Sequence, residues 1–233
     1  RICFVSFEYA SSVLGGAGVY AKNISEELAK LGHKVHVLTT NTGNKLTTYA
    51  ENGVLIYRIP TVNKPFLEFP SFSLNLKRYY KQIAEEVGDF DVLHENGIAG
   101  FALNKKFVRV PRVITMHHLT KKTQKQISSL KAQLTFAGLR GESNPLSLSL
   151  EKSVVSRASK IIAVSNATKH DLINLYGYPR EKIEVIYNGV DTERFHPRNR
   201  QYREEIRKRY GIKDEFVILF VSNNFRMKGL AYL

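Results

Sequence analysis

The feature that most constrains the fold of this chain is the alternation of short apolar runs with stretches of helical period. The first apolar run extends from Ile2 to Phe7, and a glycine-rich loop separates it from apolar residues spaced four and three apart. Those residues, which mark one face of a helix, are Ala17, Ala21, Ile24, Leu28 and Leu31. The order recurs without an internal repeat, in at least six strands and five helices. The sequence therefore predicts an α/β protein with a Rossmann-like, doubly wound and mostly parallel sheet.

The later runs place the remaining elements and indicate a domain boundary. Further strands are predicted at 35–39, 54–59, 91–94, 113–116, 160–164 and 183–187, and further helices at 76–87, 98–106, 146–154 and 166–176, the last capped by Ser165. The charge-dense stretch 198–210 is typical of a solvated helix between domains. The apolar strand predicted at 216–221 needs covering on both faces. We therefore expect one domain at 1–195, with 196–233 as a linker helix and the first strand of a truncated second domain.

Composition restricts the partners and the compartment. Lysine and arginine number 35 against 21 aspartate and glutamate, a formal net charge of +14, which favours phosphorylated small molecules, an acidic membrane surface or nucleic acid. Nucleic acid is disfavoured because the chain has no zinc ligands, RNA-binding motif or helix–turn–helix pattern. The single cysteine, Cys3, cannot form an internal disulfide, and no apolar run approaches the roughly 20 residues that span a bilayer. We expect a cytoplasmic protein.

The glycine-rich loop at 14–18 lies between the first strand and the first helix, where a doubly wound fold binds phosphate on backbone amides. A dinucleotide site is disfavoured because its fingerprint starts almost directly after the strand, whereas residues 8–15 intervene here. In addition, the second strand ends in Thr39-Thr40-Asn41 without an acidic residue for the ribose. A glycine turn that only lets helix and strand pack closely remains the structural alternative.

Other patterns give weaker indications. Glu8 and Glu95 follow strands, but neither has the matched partner that a glycosidase requires. Asp89-Phe90-Asp91 precedes a strand instead of leaving one, and we expect no metal site there. The cationic, amphipathic segment 120–140 is compatible with peripheral contact with an anionic membrane or with a helix packed beside an acceptor cleft.

Several short motifs occur in an order that resembles the retaining GT-B glycosyltransferases of family 4. They are Gly15-Gly16 with the helix that carries Tyr20, Leu31-Gly32-His33-Lys34-Val35, Asp91-Val92-Leu93-His94, Thr115-Met116-His117, Ile162-Ala163-Val164-Ser165, Ile186-Tyr187-Asn188-Gly189-Val190-Asp191 and the segment 220–229. Each motif alone is common, but together they cover nearly the whole chain in register.

The resemblance implies hexosyl transfer from a nucleoside-diphosphate-sugar to an acceptor, with retention of configuration and without a metal. The nucleotide sugar is then a co-substrate and no other cofactor is expected. The domain at 1–195 would be the acceptor side, and 196–233 would begin the donor-binding domain. The acceptor would be a glycan or a lipid-linked or phosphorylated molecule, and these 233 residues alone would be inactive. The alternative is a non-catalytic Rossmann module that binds an anionic ligand.

The resemblance also assigns roles to individual residues. Gly15 and Gly16 would bind the donor diphosphate, together with Arg226 and Lys228, although the family often has arginine where Asn223 stands. His117, which follows a strand at its carboxyl end, would lie at the reacting centre and orient sugar hydroxyls. The candidates for the acceptor side are Glu8, Tyr20, His94, Glu95 and His118.

Overall fold

The computed structural model describes residues 1–9, 15–64, 67–119, 145–222, 225 and 228–233. The strands are β1 (Ile2–Val5), β2 (Val35–Asn41), β3 (Thr47–Glu51), β4 (Val54–Pro60), β5 (Val92–Asn96), β6 (Arg112–Met116), β7 (Lys160–Ala163) and β8 (Ile183–Val185). The α-helices are α1 (Gly16–Lys30), α2 (Glu68–Val87), α3 (Pro145–Arg157), α4 (Asn166–Tyr176) and α5 (Arg203–Arg209). Short 3-10 helices cover Arg180–Lys182, Pro197–Tyr202 and Leu230–Tyr232.

The strands form one sheet in the order β3-β4-β2-β1-β5-β6-β7-β8. Every neighbouring pair is parallel except β3 and β4. The chain runs outward from β1 through β2 and β4 and then returns to place β5 on the other side of β1. The strand order therefore reverses between β1 and β5, and open α/β sheets bind ligands at the carboxyl ends of the strands beside such a reversal. The predicted fold class is confirmed.

Helices pack on both faces of the central strands, which explains why the apolar residues of these strands are buried on both sides of the sheet. On one face, Ala21 of α1 packs in a cluster with Phe4 and Val37. On the other face, α2 contributes Leu76 and Ile83 to a second cluster. A third cluster joins β6 and β7 to α3 and α4. The sheet is thereby the middle layer between helices, with its buried side chains divided among these three clusters.

Local signals set the ends of helix α4, as the sequence predicts. The Ser165 hydroxyl accepts a hydrogen bond from the Thr168 amide at 3.1 Å, which satisfies one of the free amides of the first turn. Gly177 ends the helix in a left-handed conformation with φ of 62°, where glycine has no steric cost. The hydrogen bonds that cap helix α4 at its two ends therefore come from residues close in the sequence.

The helix predicted at 98–106 is wrong, because the chain forms consecutive turns there. Two buried or half-buried guanidinium groups take the carbonyls that a helix would use internally. Arg157 donates to the Phe101 carbonyl at 3.0 Å and to the Leu103 carbonyl at 3.3 Å. Arg112 also donates to Leu103. These side chains come from β6 and α3, so the helical spacing of apolar residues could not reveal them.

Two strand predictions also differ from the structure. The stretch 216–221 is apolar but forms no strand among the described residues, and Phe216 and Leu219 are 91% and 82% exposed. A strand needs a hydrogen-bonded neighbour, which apolar sequence alone does not provide. The polar edge strand β3 has such a neighbour in β4 and was not predicted from its pattern.

Contacts divide the described chain into two compact units, Arg1–Tyr187 and Asn188–Leu233. The first unit contains the sheet, and the second contains Pro197–Tyr202, α5 and Leu230–Tyr232. The domain boundary expected after residue 195 stays a prediction. In the described ranges, no helix has both the length and the apolar character to cross a bilayer.

Candidate active site

The first turn of α1 lies at the strand reversal and presents free backbone amides. Gly15 is the N-cap, and its carbonyl accepts from the Gly18 amide at 3.2 Å. The amides of Gly16 and Ala17 have no hydrogen-bond acceptor among the described residues. Among the residues that the structure describes, nothing lies within 4 Å of a Cβ added at Gly16. Such a helix start favours an anion through its amides and its dipole.

Glu8, which was predicted on the acceptor side, lies beside this turn. Its Oε2 accepts a hydrogen bond from the Gly15 amide at 3.0 Å. A carboxylate at a helix N-terminus is stabilised by the positive end of the dipole. An anionic ligand on Gly16 would therefore have the Glu8 charge as its neighbour, and Gly15 is already engaged by this side chain.

A chain of side-chain hydrogen bonds joins β1, α1, β5 and the end of β6. Asn96, the last residue of β5, donates through Nδ2 to the Ser6 hydroxyl and to the Ala17 carbonyl, both at 2.9 Å. Ser6 in turn donates to the Glu8 carbonyl at 2.7 Å. The Asn96 Oδ1 lies 2.7 Å from His117 Nε2. The side-chain amide of Asn96 thus joins β5 to the other three segments of the site.

These contacts determine the tautomer of His117. Since both contacts of Asn96 Nδ2 are to oxygens that accept, its Oδ1 must accept the bond from His117, which places the imidazole proton on Nε2. Within the described part of the chain, Nδ1 has no hydrogen bond and keeps its lone pair. Burial, and next the charge of His118, lower the pKa of His117 to about 4. A neutral ring with a free acceptor nitrogen suits a hydroxyl ligand.

A second group of polar side chains, formed by Thr115, Tyr20 and His94, adjoins His117. The Thr115 hydroxyl is 2.9 Å from both the Tyr20 hydroxyl and His94 Nε2. The Tyr20 ring meets the His117 ring edge to face, with 4.9 Å between centroids. The His94 ring packs on Phe4 at 4.6 Å. Tyr20 therefore packs against His117, and Thr115 links Tyr20 to His94. His94 is only 6% exposed.

Burial disfavours the charged forms of His94 and Tyr20. It lowers the pKa of His94 to about 4, with a smaller contribution from the charge of His117. It also raises the pKa of Tyr20, an effect that the Thr115 hydrogen bond opposes. Near neutral pH, His94, Tyr20 and Thr115 are therefore all uncharged.

Glu95 faces the opposite side of the sheet. Successive residues of a strand alternate between faces, so His94 and Asn96 lie on the α1 side and Glu95 on the other. There its Oε1 accepts from Arg112 Nε at 2.8 Å and also from Arg112 Nη2. Glu95 is fully buried, and a Cβ at Gly100 would lie 2.4 Å from its carboxyl carbon. The structure thus places Glu95 in a buried ion pair with Arg112, and its predicted role on the acceptor side stays a prediction.

Two of the other predicted site residues, His118 and Lys228, are among the described residues. His118 is exposed next to His117, and Lys228 is described in the second unit. Arg226, Asn223 and the segment 120–140 lie outside the described residues. The described ranges contain no group of three or more histidine, cysteine or acidic side chains arranged to hold a metal ion.

Ser6, Asn96 and Thr115 belong to the site but were not among the predicted site residues. Each is a polar side chain at or next to the carboxyl end of a strand, and that position was the available signal. Their mutual contacts span up to 90 positions in the sequence, so pattern alone could not join them.

Comparison with known proteins identifies the family of the chain. The profile of Glycosyltransferase Family 4 matches residues 14–194. An uncharacterized glycosyltransferase of Methanocaldococcus jannaschii is 29% identical over 241 aligned positions, which cover 100% of this chain and 58% of the relative. A D-inositol 3-phosphate glycosyltransferase of Catenulispora acidiphila is 28% identical, with coverages of 92% and 50%.

Two solved structures share the fold. Sucrose-phosphate synthase from Thermosynechococcus elongatus has a TM-score of 0.68 at 18% identity, covering 88% of this chain and 52% of that one. HepE from Anabaena, in complex with UDP and glucose, has a TM-score of 0.53 at 18% identity, with coverages of 90% and 50%. The chain thus spans about half the length of the proteins that it matches. The family profile extends over most of the chain, including the first turn of α1 and His117, and the chain belongs to Glycosyltransferase Family 4.

Proposed function

We propose that this chain forms the acceptor-side half of a retaining, metal-independent glycosyltransferase that uses a nucleoside-diphosphate-sugar. The observation that carries the proposal is the first turn of α1, whose free amides open beside a neutral, oriented histidine. An anion and a hydroxyl-bearing group can be bound there side by side. HepE, whose structure holds UDP and glucose, supports the same donor class here.

In the proposed reaction, the bond between the anomeric carbon and the diphosphate oxygen breaks while the acceptor oxygen bonds to that carbon. The acceptor proton passes to the departing diphosphate oxygen on the same face of the sugar, which retains the configuration. Negative charge accumulates on the diphosphate as it leaves. The amides of Gly16 and Ala17 are held in place before the reaction, so they stabilise this charge without reorganisation.

We keep Arg226 and Lys228 as the proposed cationic ligands of the donor diphosphate. Arg226 suits bidentate phosphate contacts, and Lys228 suits a point-charge contact. We infer that the residues from 196 onward begin the donor-binding domain, in which the exposed apolar stretch 216–221 is covered. The activity of the whole protein would therefore require more than these 233 residues.

His117 would bind a hydroxyl of the donor sugar. Its free Nδ1 accepts a hydrogen bond from the hydroxyl, and its low pKa keeps this lone pair available at neutral pH. A neutral imidazole does not compete with the amides for the diphosphate. The acceptor would be a glycan or a lipid-linked or phosphorylated molecule, and the name of the C. acidiphila relative points to an inositol phosphate as one such acceptor. A cytoplasmic location with peripheral membrane contact remains our prediction.

The first test is a panel of nucleotide sugars in a thermal-shift assay on the full-length protein. A donor binds only the folded state, so the correct one raises the unfolding midpoint as its concentration rises. The variant Lys228→Ala should weaken this binding about tenfold or more, because charged hydrogen bonds contribute about 1.5–3 kcal/mol. Lys213→Ala, an exposed lysine of the same unit, is the matched control and should bind normally.

The same protein tests the role of His117. His117→Ala should lower kcat about tenfold while leaving diphosphate binding intact, since one neutral hydrogen bond to the sugar is lost. Unchanged kinetics in both variants would remove the assigned site. Binding of the nucleotide sugar without any transfer to any acceptor would favour the non-catalytic Rossmann module.

A further inference from the structure

Asn96 has a contact set that no other described residue of the site has. It is 8% exposed and lies at the end of β5, where it bonds to Ser6, Ala17 and His117. We propose that Asn96 is a positioning residue, which holds His117 in the Nε2-protonated tautomer and in register with the first turn of α1. This inference rests on the proposed function, but its first test does not need turnover.

Only a carboxamide satisfies all three partners at once. The Ser6 hydroxyl is committed as a donor to the Glu8 carbonyl, so it must accept from Asn96. The Ala17 carbonyl can only accept, and His117 Nε2 therefore meets the carbonyl oxygen of the amide. Aspartate lacks the two N–H donors, and alanine or serine cannot span the three contacts. The amide direction is thus set by its surroundings.

The bond to Ala17 links the two proposed substrate contacts. Ala17 is the second residue of α1 and supplies one of the two free amides of the site. The same residue receives the Asn96 hydrogen bond on its carbonyl. A movement of Asn96 would therefore displace both the ring of His117 and the helix turn that faces the diphosphate. Catalysis depends on such alignment to within fractions of an ångström.

The direct test measures the tautomer of His117 by NMR. The full-length protein is labelled with ¹⁵N-histidine. The ring nitrogens of His117 are assigned as the signals that are missing from the spectrum of the His117→Gln variant. We expect Nε2 protonated and Nδ1 unprotonated in the wild type. Asn96→Ala should give a mixture of tautomers, because no acceptor then selects Nε2. A wild-type ring protonated on Nδ1, or an unchanged spectrum in Asn96→Ala, would overturn the proposal.

Ser6→Ala is the control for that spectrum. It removes one acceptor of Asn96 while the bonds to Ala17 and His117 remain. The His117 tautomer should therefore stay as in the wild type. If Ser6→Ala scrambles the tautomer as fully as Asn96→Ala does, the effect belongs to general loosening of the site and the assignment to Asn96 fails.

Kinetics separate positioning from folding. Asn96→Ala should lower kcat/KM about 10–100-fold, as loss of an orienting partner does at metal-bound histidines, with most of the change in kcat. Asn104→Ala removes an exposed asparagine contact to the Lys106 amide and should leave activity unchanged. An Asn96→Ala enzyme with wild-type kcat would contradict the proposal, whatever its stability.

Asn96→Asp gives a pH signature and serves if the alanine variant fails to fold. Its carboxylate still accepts from Nε2 but stabilises the protonated ring, against His118, His94 and the neutral Tyr20 that face His117. The acid limb of kcat should therefore move to higher pH by one unit or more. A limb in the wild-type position would show that residue 96 does not act through His117.

Discussion

At the scale of single residues, burial keeps the two histidines of the site neutral. His94 is almost fully buried between Phe4 and Thr115, and its pKa falls to about 4 chiefly through burial and secondarily through His117. The unfolded chain binds a proton at this side chain near the ordinary value of 6.5. Between these two values the unfolded state carries more protons than the folded state, so stability must fall as the pH falls.

We expect the free energy of unfolding to be constant with respect to His94 above pH 6.5 and to fall below it. The loss between pH 7 and pH 5 should be on the order of 2 kcal/mol from this residue, since each unit of displacement in pKa corresponds to 1.36 kcal/mol. Urea unfolding at a series of pH values measures it. His94→Gln should reduce the loss, whereas His33→Gln, at an exposed position, should not. An identical pH profile in His94→Gln would contradict the assignment.

At the scale of elements, one strand presents different chemistry to the two faces of the sheet. β5 places His94 and Asn96 toward α1 and the open site, and it places Glu95 toward Arg112 and the turns that follow the strand. The carboxylate and guanidinium are both almost completely buried. Arg112 also donates to the Leu103 carbonyl in those turns. Glu95 is thus part of the architecture beneath the site.

Glu95→Gln should lower the free energy of unfolding by about 3–5 kcal/mol, because breaking a buried ion pair leaves an uncompensated charge. Glu85→Gln, which removes the exposed pair between Lys81 and Glu85, should cost less than about 1 kcal/mol. Denaturant unfolding of both variants compares the two. At a temperature where Glu95→Gln is folded, its kcat should equal that of the wild type. A selective loss of kcat or acceptor binding would restore the predicted acceptor role of Glu95.

At the scale of the whole molecule, the two units differ in how they bury apolar side chains. The first unit encloses three clusters of buried residues, while the second leaves much of the stretch 216–221 exposed. Large apolar side chains that remain open to water mark a surface meant for contact. This agrees with our proposal that residues 196–233 begin a donor-binding domain.

Leu219→Ser should therefore have different effects in two contexts. In the 233-residue chain its side chain is 82% exposed, so the free energy of unfolding should change little. In the full-length protein, loss of a buried leucine should cost about 2 kcal/mol or more. Leu31→Ser, at a helix end that is 74% exposed, should be nearly neutral in both. Equal effects of Leu219→Ser in the two contexts would remove the argument for a covered strand.

The sequence by itself determined the α/β class, the parallel sheet, the cap of α4 and the position of His117 at a strand end. These depend on periodicity, turn residues and capping, which act between residues close in the chain. Only the tertiary structure decided that Asn96 contacts His117, that Glu95 pairs with Arg112, that 98–106 is a series of turns and that 216–221 forms no strand. Each of those outcomes depends on which distant group supplies or withholds a hydrogen bond, and local pattern carries no record of that partner.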